Sequence, residues 1–395
     1  MGARKGPRLA GRGNPASPQL SDRALRLFGF LQADPANVEL ACALIDELLN
    51  TQRSSDALEA IANLHSSLER LPAVRSRMAR AQLSEGKLES AVATLQSLLD
   101  EGTDVPAVRH DLAFAQLCLG DIRGAAHTIA PAVALHDVPV ECRVLQARVL
   151  QAQGELTKAI ETLGHPDASQ HAGALGLKSL FLLDAGDTEG ARHCAAACLA
   201  MQADQLEALI VAGTVSLWSG DLDTAMQAFQ RALSQAPTTG RALSGRGQVR
   251  MLRGDLAAAR ASFEAAIAAM PDHLGTWHAL AWACLLGGDV AAADAAFRSA
   301  YTLDRTFGET HGGLALIHVL RRQPAEAEAA IKRAFKLDPR GRTAHYARSL
   351  LLLQRGQSEA AENEVRDILD HVALPARLSV SGFLQQLHEL MQPSS

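Results

Sequence analysis

Apolar residues recur along most of the chain with the period of an α-helix, in pairs of segments joined by a short polar turn. Each pair predicts two helices, one before the turn and one after it. Successive turns are 34 residues apart, except for one step of 32 and a last step of 68. This spacing predicts a repeated helix–turn–helix unit. The turns are marked by Gly86, Gly120, Gly154, Gly186, Gly220, Gly254, Gly288 and Gly356.

Each recurring position of the unit has a structural reason. Glycine suits the end of the first helix, because that position commonly takes a positive φ. Arg322 stands at this place inside the 68-residue step, and Gln52 stands there in the first unit. The Asp that often follows can cap the second helix. Alanines 5 and 12 residues after the glycine let neighbouring helices approach closely. Prolines end three units, at Pro237, Pro271 and Pro339.

A 34-residue unit with these positions resembles the tetratricopeptide repeat. The resemblance implies an all-α fold, a right-handed superhelical α-solenoid of about ten stacked repeats. The unit 206–239 matches the family pattern with Leu209, Gly213, Gly220, Ala225, Phe229, Ala232 and Pro237. The first unit is degenerate and the fourth is two residues short. The frame gives units at 38–71, 72–105, 106–139, 140–171, 172–205, 206–239, 240–273, 274–307, 308–341 and 342–375.

The segments outside the repeats are predicted to be a tail and two caps. Residues 1–18 hold four basic residues and no acidic ones, which predicts a disordered basic tail. Terminal repeats need a cover, because each unit buries its apolar face only against its neighbours. Residues 19–37 are therefore predicted to form an N-terminal capping helix, and residues 376–395 a C-terminal capping helix and tail.

Composition narrows the class of protein. No run of 18 apolar residues is present, so we expect no membrane insertion. A net charge of −5 argues against nucleic acid as a partner. Six cysteines lie mostly within apolar helical patterns rather than in a disulfide framework, which favours a reducing compartment and a cytoplasmic location.

In the tetratricopeptide repeat family, the first helix of each unit lines a concave groove, largely through positions 2, 5, 9, 12 and 13. These positions form one helical stripe, called the groove stripe below. This region is rich in arginine in repeats 2–4 and rich in aromatic residues and leucine in repeats 6–10. We expect it to bind a peptide or helix of a protein partner, acidic at one end and apolar at the other. The predicted binding residues are Arg77, Arg80, Arg148, Trp218, Trp282, Leu316, Tyr346 and Leu350.

Two alternatives qualify this interpretation. A leucine on the groove stripe can equally be an ordinary core residue, since apolar helix stripes usually serve packing. Arginines at position 4 of three successive units are more typical of side chains that extend toward solvent or acidic neighbours. These position-4 residues are Arg75, Arg109 and Arg143.

Signatures of catalysis and of cofactor binding are absent from the sequence. No phosphate-binding glycine loop, nucleophile elbow, zinc-protease or calcium motif occurs, and Gly245-Arg-Gly247 lacks a third glycine. The sequence predicts no enzyme, no cofactor and no metal. Two groups of possible metal ligands are more simply interpreted as packing residues. They are Cys194 with Cys198, and His278, His311, His318 and His345.

The predicted function is a non-catalytic interaction scaffold or adaptor. Some family members hold the C-terminal carboxylate of chaperones with a set of Lys, Asn and Arg residues, and no three successive units here reproduce that set. The alternative is an accessory or regulatory subunit, such as a chaperone of a secretion machine or a component of a cell-envelope polysaccharide assembly machine. This alternative rests on the family resemblance alone.

Overall fold

The computed structural model describes residues 20–369, and all regular elements in this range are helices. The prediction of an all-α repeat fold is confirmed. The chain forms two compact units that divide after Met201, and each is described by itself. The predicted tail at 1–18 and the predicted C-terminal cap at 376–395 lie outside the described residues.

Antiparallel helix pairs build both units. The first unit contains α1 (Asp22–Ala33), α2 (Val38–Asn50), α3 (Ser54–Ala62), α4 (Pro72–Ser84), α5 (Leu88–Asp100), α6 (Pro106–Cys118), α7 (Ile122–Val133), α8 (Val140–Ala152), α9 (Leu156–Thr162), α10 (Ala172–Asp184) and α11 (Thr188–Met201). The second contains α12 (Leu206–Trp218), α13 (Leu222–Gln235), α14 (Gly240–Leu252), α15 (Leu256–Ala269), α16 (Leu274–Leu286), α17 (Val290–Leu303), α18 (Gly308–Leu320), α19 (Pro324–Leu337), α20 (Arg342–Gln354) and α21 (Ser358–Leu369).

The turns between paired helices have the backbone geometry that the glycine positions predict. All eight marker glycines have a φ between 69° and 84°. At Gly220, for example, its N–H donates to the Leu217 carbonyl at 3.1 Å, and the Asp221 N–H donates to the Ser216 carbonyl at 2.9 Å. These bonds satisfy carbonyls at the end of α12. Asp221 then caps α13 by accepting from the Thr224 N–H at 3.0 Å.

Two residues other than glycine occupy the same strained place. Gln52 and Arg322 both have a φ of 57°, and within residues 20–369 no other non-glycine residue has a positive φ. A left-handed conformation costs an ordinary L-residue roughly 1–2 kcal/mol. We therefore expect Arg322→Gly and Gln52→Gly each to raise the free energy of unfolding by about 1 kcal/mol, measured by urea denaturation.

A matched control separates strain from composition. Gln153 lies one residue before the marker glycine of its turn and has a φ of −79°. Gln153→Gly relieves no strain and adds flexibility to the unfolded chain, so it is expected to lower stability slightly. A loss of stability in Arg322→Gly as large as that in Gln153→Gly would contradict the strain argument.

The core of the second unit is built from three phenylalanines that lie against glycines. Phe229, Phe263 and Phe297 are fully buried. A Cβ added at Gly245 would lie 2.3 Å from the ring of Phe229, and one at Gly247 would lie 2.6 Å from Phe263. The Gly245-Arg-Gly247 sequence is thus explained by close helix packing, since only glycine leaves room for these rings.

The repeats that looked irregular in sequence are irregular in structure. The second helix of the first repeat, α3, has nine residues and is followed by a turn-rich segment at 63–71. In the short fourth repeat α9 has seven residues, and a 3₁₀ turn at Ala168–Gln170 leads into α10. In both repeats the second helix is short, while the first helix keeps its 13 residues.

Candidate binding surfaces

The charge of Arg77, the first of the predicted binding arginines, is compensated by a carboxylate of the preceding repeat. Arg77 on α4 donates from Nε and Nη2 to the two carboxylate oxygens of Asp46 on α2, at 2.9 and 2.7 Å. This bidentate pair raises the pKa of Arg77 further above its ordinary value. Because its charge is already compensated, Arg77 is a link between repeats and not an available anchor for an acidic partner.

Two other arginines of this region, at position 4 of their units, also have carboxylate partners. Arg75 pairs with Glu101 at 2.5 Å, and Arg109 donates to both oxygens of Asp104 at 2.6 and 2.8 Å. Hydrogen bonds from these arginines lower the pKa of Glu101 and of Asp104. Residues 20–201 hold 23 Asp and Glu against 15 Lys and Arg. The first unit as a whole is acidic, so the basic character predicted from the arginines is confined to a small surface.

That small surface runs across three successive first helices. Arg80 on α4, Phe114 on α6 and Arg148 on α8 all stand at position 9 of their units, and all three are exposed. The side chain of Arg80 is 51% exposed and lies 3.9 Å from the nearest oxygen of Asp46. Phe114 is 40% exposed. The structure thus places the predicted Arg80 and Arg148 in one row, with an exposed ring at the position between them.

In the second unit the predicted rings Trp282 and Tyr346 meet. Their centroids are 6.3 Å apart, and their planes lie at 79° in an edge-to-face arrangement. Trp282 is on α16 and Tyr346 on α20, so the contact spans the intervening first helix α18. Gly312 on α18 makes this possible, since a Cβ there would lie 2.6 Å from the Ala344 backbone nitrogen. Partial burial raises the pKa of the Tyr346 hydroxyl.

The same close packing corrects two predictions. Leu316 and Leu350 were expected to be binding residues, but they are 3% and 1% exposed and belong to the apolar core of the second unit. Trp282 is partly buried and packs against this core. Both leucines stand on the groove stripe, yet the close approach of α20 to α18 covers that part of it. We therefore omit both from the candidate surface.

An exposed apolar row lies at the ends of the first helices of three successive repeats. Trp218 is 60% exposed, Leu252 61% and Leu286 44%. All three stand at position 13, the last residue of α12, α14 and α16. Sequence reasoning singled out Trp218 and missed the two leucines, although they share its place in the 34-residue frame. We call these three residues the apolar row.

The histidines considered as metal ligands have structural partners. His311 Nε2 lies 2.9 Å from the Arg305 carbonyl and His345 Nε2 lies 3.3 Å from the Pro339 carbonyl. Trp277 donates in the same way to the Pro271 carbonyl at 2.8 Å. In these three repeats the ring at position 4 ties the first helix to the turn before it. His278 lies edge-to-face on Phe297, and burial lowers its pKa.

Groups with metal-binding geometry do not occur in the described part of the chain, where no three His, Cys, Asp or Glu residues converge. Cys198 is fully buried and lies 3.1 Å from the Ala172 carbonyl. Cys198 therefore fills space between α10 and α11. Partial burial raises the pKa of the Cys194 thiol.

The fold and these surfaces define an all-α protein of repeated helical hairpins. The tetratricopeptide repeat family model matches residues 181–239, 244–306 and 313–370. The chain thus carries tetratricopeptide repeats over these residues, as its sequence pattern predicted. The repeats indicate a protein-interaction scaffold with protein or peptide partners. No helix within residues 20–369 combines the length and the hydrophobicity that a membrane span requires.

Several solved structures are similar to this chain. YrrB, described as a TPR protein with an unusual peptide-binding site, is 16% identical over 49% of this chain and 97% of its own, with a TM-score of 0.37. A tetratricopeptide repeat protein from Parabacteroides merdae is 17% identical over 71% and 98%, with a TM-score of 0.38. MamA is 20% identical over 40% and 92%, with a TM-score of 0.33. No curated protein sequence matches the chain significantly.

Proposed function

We propose that the protein is a non-catalytic scaffold that binds an apolar segment of a partner protein on the second unit. The observation that carries this proposal is the apolar row, Trp218, Leu252 and Leu286, three large side chains exposed at the same place in successive repeats. Large exposed apolar groups that lie in one row are typical of interaction sites. Trp282 and Tyr346, which are partly buried, add a pair of rings on the groove stripe of the same unit.

The repeat spacing suggests the form of the partner. Packed helices lie about 8–10 Å apart, so successive members of the row are separated by about that distance. An extended peptide covers it with about three residues and a helix with about seven. The second unit carries equal numbers of acidic and basic residues in the described range, 18 of each. Apolar contacts therefore dominate recognition in this proposal.

The first unit supplies a second, smaller surface. Arg80 and Arg148 flank Phe114, and this row suits a segment with acidic residues on either side of an apolar one. The acidic end of the partner stays a prediction that rests on these two arginines. The absence of nucleic-acid binding, the cytoplasmic location and the accessory-subunit alternative likewise stay predictions from the sequence.

A peptide-display selection on the full chain tests the proposed site. Peptides selected by the wild type are measured for affinity against Trp218→Ala, Leu252→Ala and Leu286→Ala. Desolvated anchors of this kind contribute about 2 kcal/mol, so each change is expected to raise Kd by roughly tenfold or more.

Exposed leucines away from the groove stripe provide the control. Leu303 and Leu337 are 40% and 41% exposed at the ends of the second helices α17 and α19. Leu303→Ala and Leu337→Ala should leave Kd within about twofold of the wild type, because these residues lie outside the proposed site. Equal losses in both sets of variants, or full affinity in the apolar-row variants, would refute this site.

A further inference from the structure

Two arginines of the second unit lie one turn apart on the side of α14 opposite the groove stripe. Arg246 and Arg250 stand at positions 7 and 11, and the i, i+4 spacing places them on one face. Arg250 is held by α15, where its Nη1 donates to Ser262 Oγ at 2.8 Å and to the Ala258 carbonyl at 3.2 Å. These acceptors are neutral, so neither offsets a positive charge.

Arg246 lacks an equivalent partner. Its Nε is buried and has no hydrogen-bond acceptor among residues 20–369. Burial lowers the pKa of Arg246, and the neighbouring cation of Arg250 lowers it further. The guanidinium groups of Arg246 and Arg250 are thus neighbours and partly buried. Neither is paired with a carboxylate in the described structure. A buried donor without an acceptor costs free energy.

In the last repeat, an arginine at the same position is paired with a carboxylate of this chain. Arg348 on α20 also stands at position 7, and its Nη2 donates to the buried carboxylate of Glu364 on α21. Its guanidinium lies 4.8 Å over the ring of Phe335, at position 28 of the preceding repeat. Glu364 stands at position 23. Around Arg246, position 23 of its own repeat is Ser262 and position 28 of the preceding repeat is Leu233. Both residues are buried.

We propose that Arg246 and Arg250 form a carboxylate-binding site that takes an acidic side chain of a partner protein. Glu364 demonstrates within this chain that a carboxylate suits a guanidinium at position 7. Arginine binds carboxylates through paired N–H donors, and a charge-assisted bond is stronger than a neutral one. The site lies opposite the groove stripe on α14, so it is independent of the proposed binding of an apolar segment.

Glutarate, which carries the carboxylate of a Glu side chain, serves as the probe. The full chain is labelled with ¹⁵N, and the Arg246 Nε–H signal is identified by its loss in Arg246→Lys. Titration with glutarate at constant ionic strength is expected to shift this signal saturably, while the neutral diamide glutaramide leaves it in place. For the variants, the signals of Arg250 report binding. Arg246→Gln is expected to weaken binding by about tenfold or more.

Ser262→Glu provides the sharper test, because it copies the arrangement of Glu364 and supplies the missing carboxylate internally. We expect it to abolish the response to glutarate. The control Arg333→Gln, at an exposed residue of α19, should leave the titration unchanged. If Ser262→Glu fails to fold, Arg246→Gln still decides the question.

Three results would overturn the proposal. The first is a glutarate response that persists in Arg246→Gln or in a folded Ser262→Glu variant. The second is the absence of any response to glutarate in the wild type. The third is a response to inorganic phosphate without one to glutarate, which would assign the site to a phosphoryl group instead of a carboxylate.

Discussion

Gly245→Leu is expected to lower the free energy of unfolding of the second unit by about 3 kcal/mol, as measured by urea denaturation. The first side-chain carbon alone would lie 2.3 Å from Cζ of Phe229 and 2.6 Å from its Cε1. Phe229 is fully buried, and a Cβ at Gly213 would lie 2.7 Å from the same ring. Because glycines of two repeats contact this ring, it has no space into which to retreat.

Two further variants distinguish overpacking from a general effect of losing glycine. Gly29 lies within α1 with no atom within 4 Å of an added Cβ, so Gly29→Ala should gain up to about 1 kcal/mol from helix propensity. Gly245→Ala combined with Phe229→Leu should cost less than the sum of the two single changes, because the smaller side chain relieves the overlap. Strict additivity would argue against direct contact.

Glu364→Leu is expected to lower the free energy of unfolding by about 2 kcal/mol. Glu364 is 6% exposed, lies within hydrogen-bond distance of His345 Nδ1 and accepts from Arg348 Nη2. Removing one partner of a buried ion pair commonly costs 3–5 kcal/mol, and the partial exposure of Arg348 reduces that figure. The loss is measured by urea denaturation at neutral pH.

A double-mutant cycle isolates the interaction. Arg348→Met together with Glu364→Leu replaces the pair by apolar groups, so the double variant should be more stable than Glu364→Leu alone. Glu328 pairs with Arg355 on the surface, and Glu328→Leu should cost much less. A loss in Glu328→Leu equal to that in Glu364→Leu would show that burial of the carboxylate is unimportant.

The helical frame could be predicted because it depends on local chemistry. A turn that needs a positive φ selects glycine. The 34-residue spacing of these glycines also located Gln52 and Arg322, which have a positive φ although they are not glycine. The Ala and Phe positions are likewise set by packing within a repeat. Since these constraints are local and recur every 34 residues, ten imperfect copies were sufficient to define them.

Exposure within the groove stripe could not be predicted from position alone. Leu316 and Trp282 both stand at position 9, but one is buried and the other is a partly exposed ring. The difference arises because Gly312 lets α20 pack closely against α18. The distance between helices of neighbouring repeats cannot be read from the residue pattern of one repeat. The partner of Arg77 was missed for a similar reason, since Asp46 stands 31 residues earlier, in the preceding repeat.

The helices of the second unit pack against helices one or two places away in the chain, as α12 does with α13 and α14. Such connectivity favours rapid folding, because only short loops must close. It also allows an end hairpin to open while its neighbours stay folded, so amide hydrogen exchange should be fastest toward the ends of the unit. A ligand laid across Trp218, Leu252 and Leu286 would link three hairpins that otherwise open separately. Binding there would therefore make the unit unfold more cooperatively as well as stabilising it.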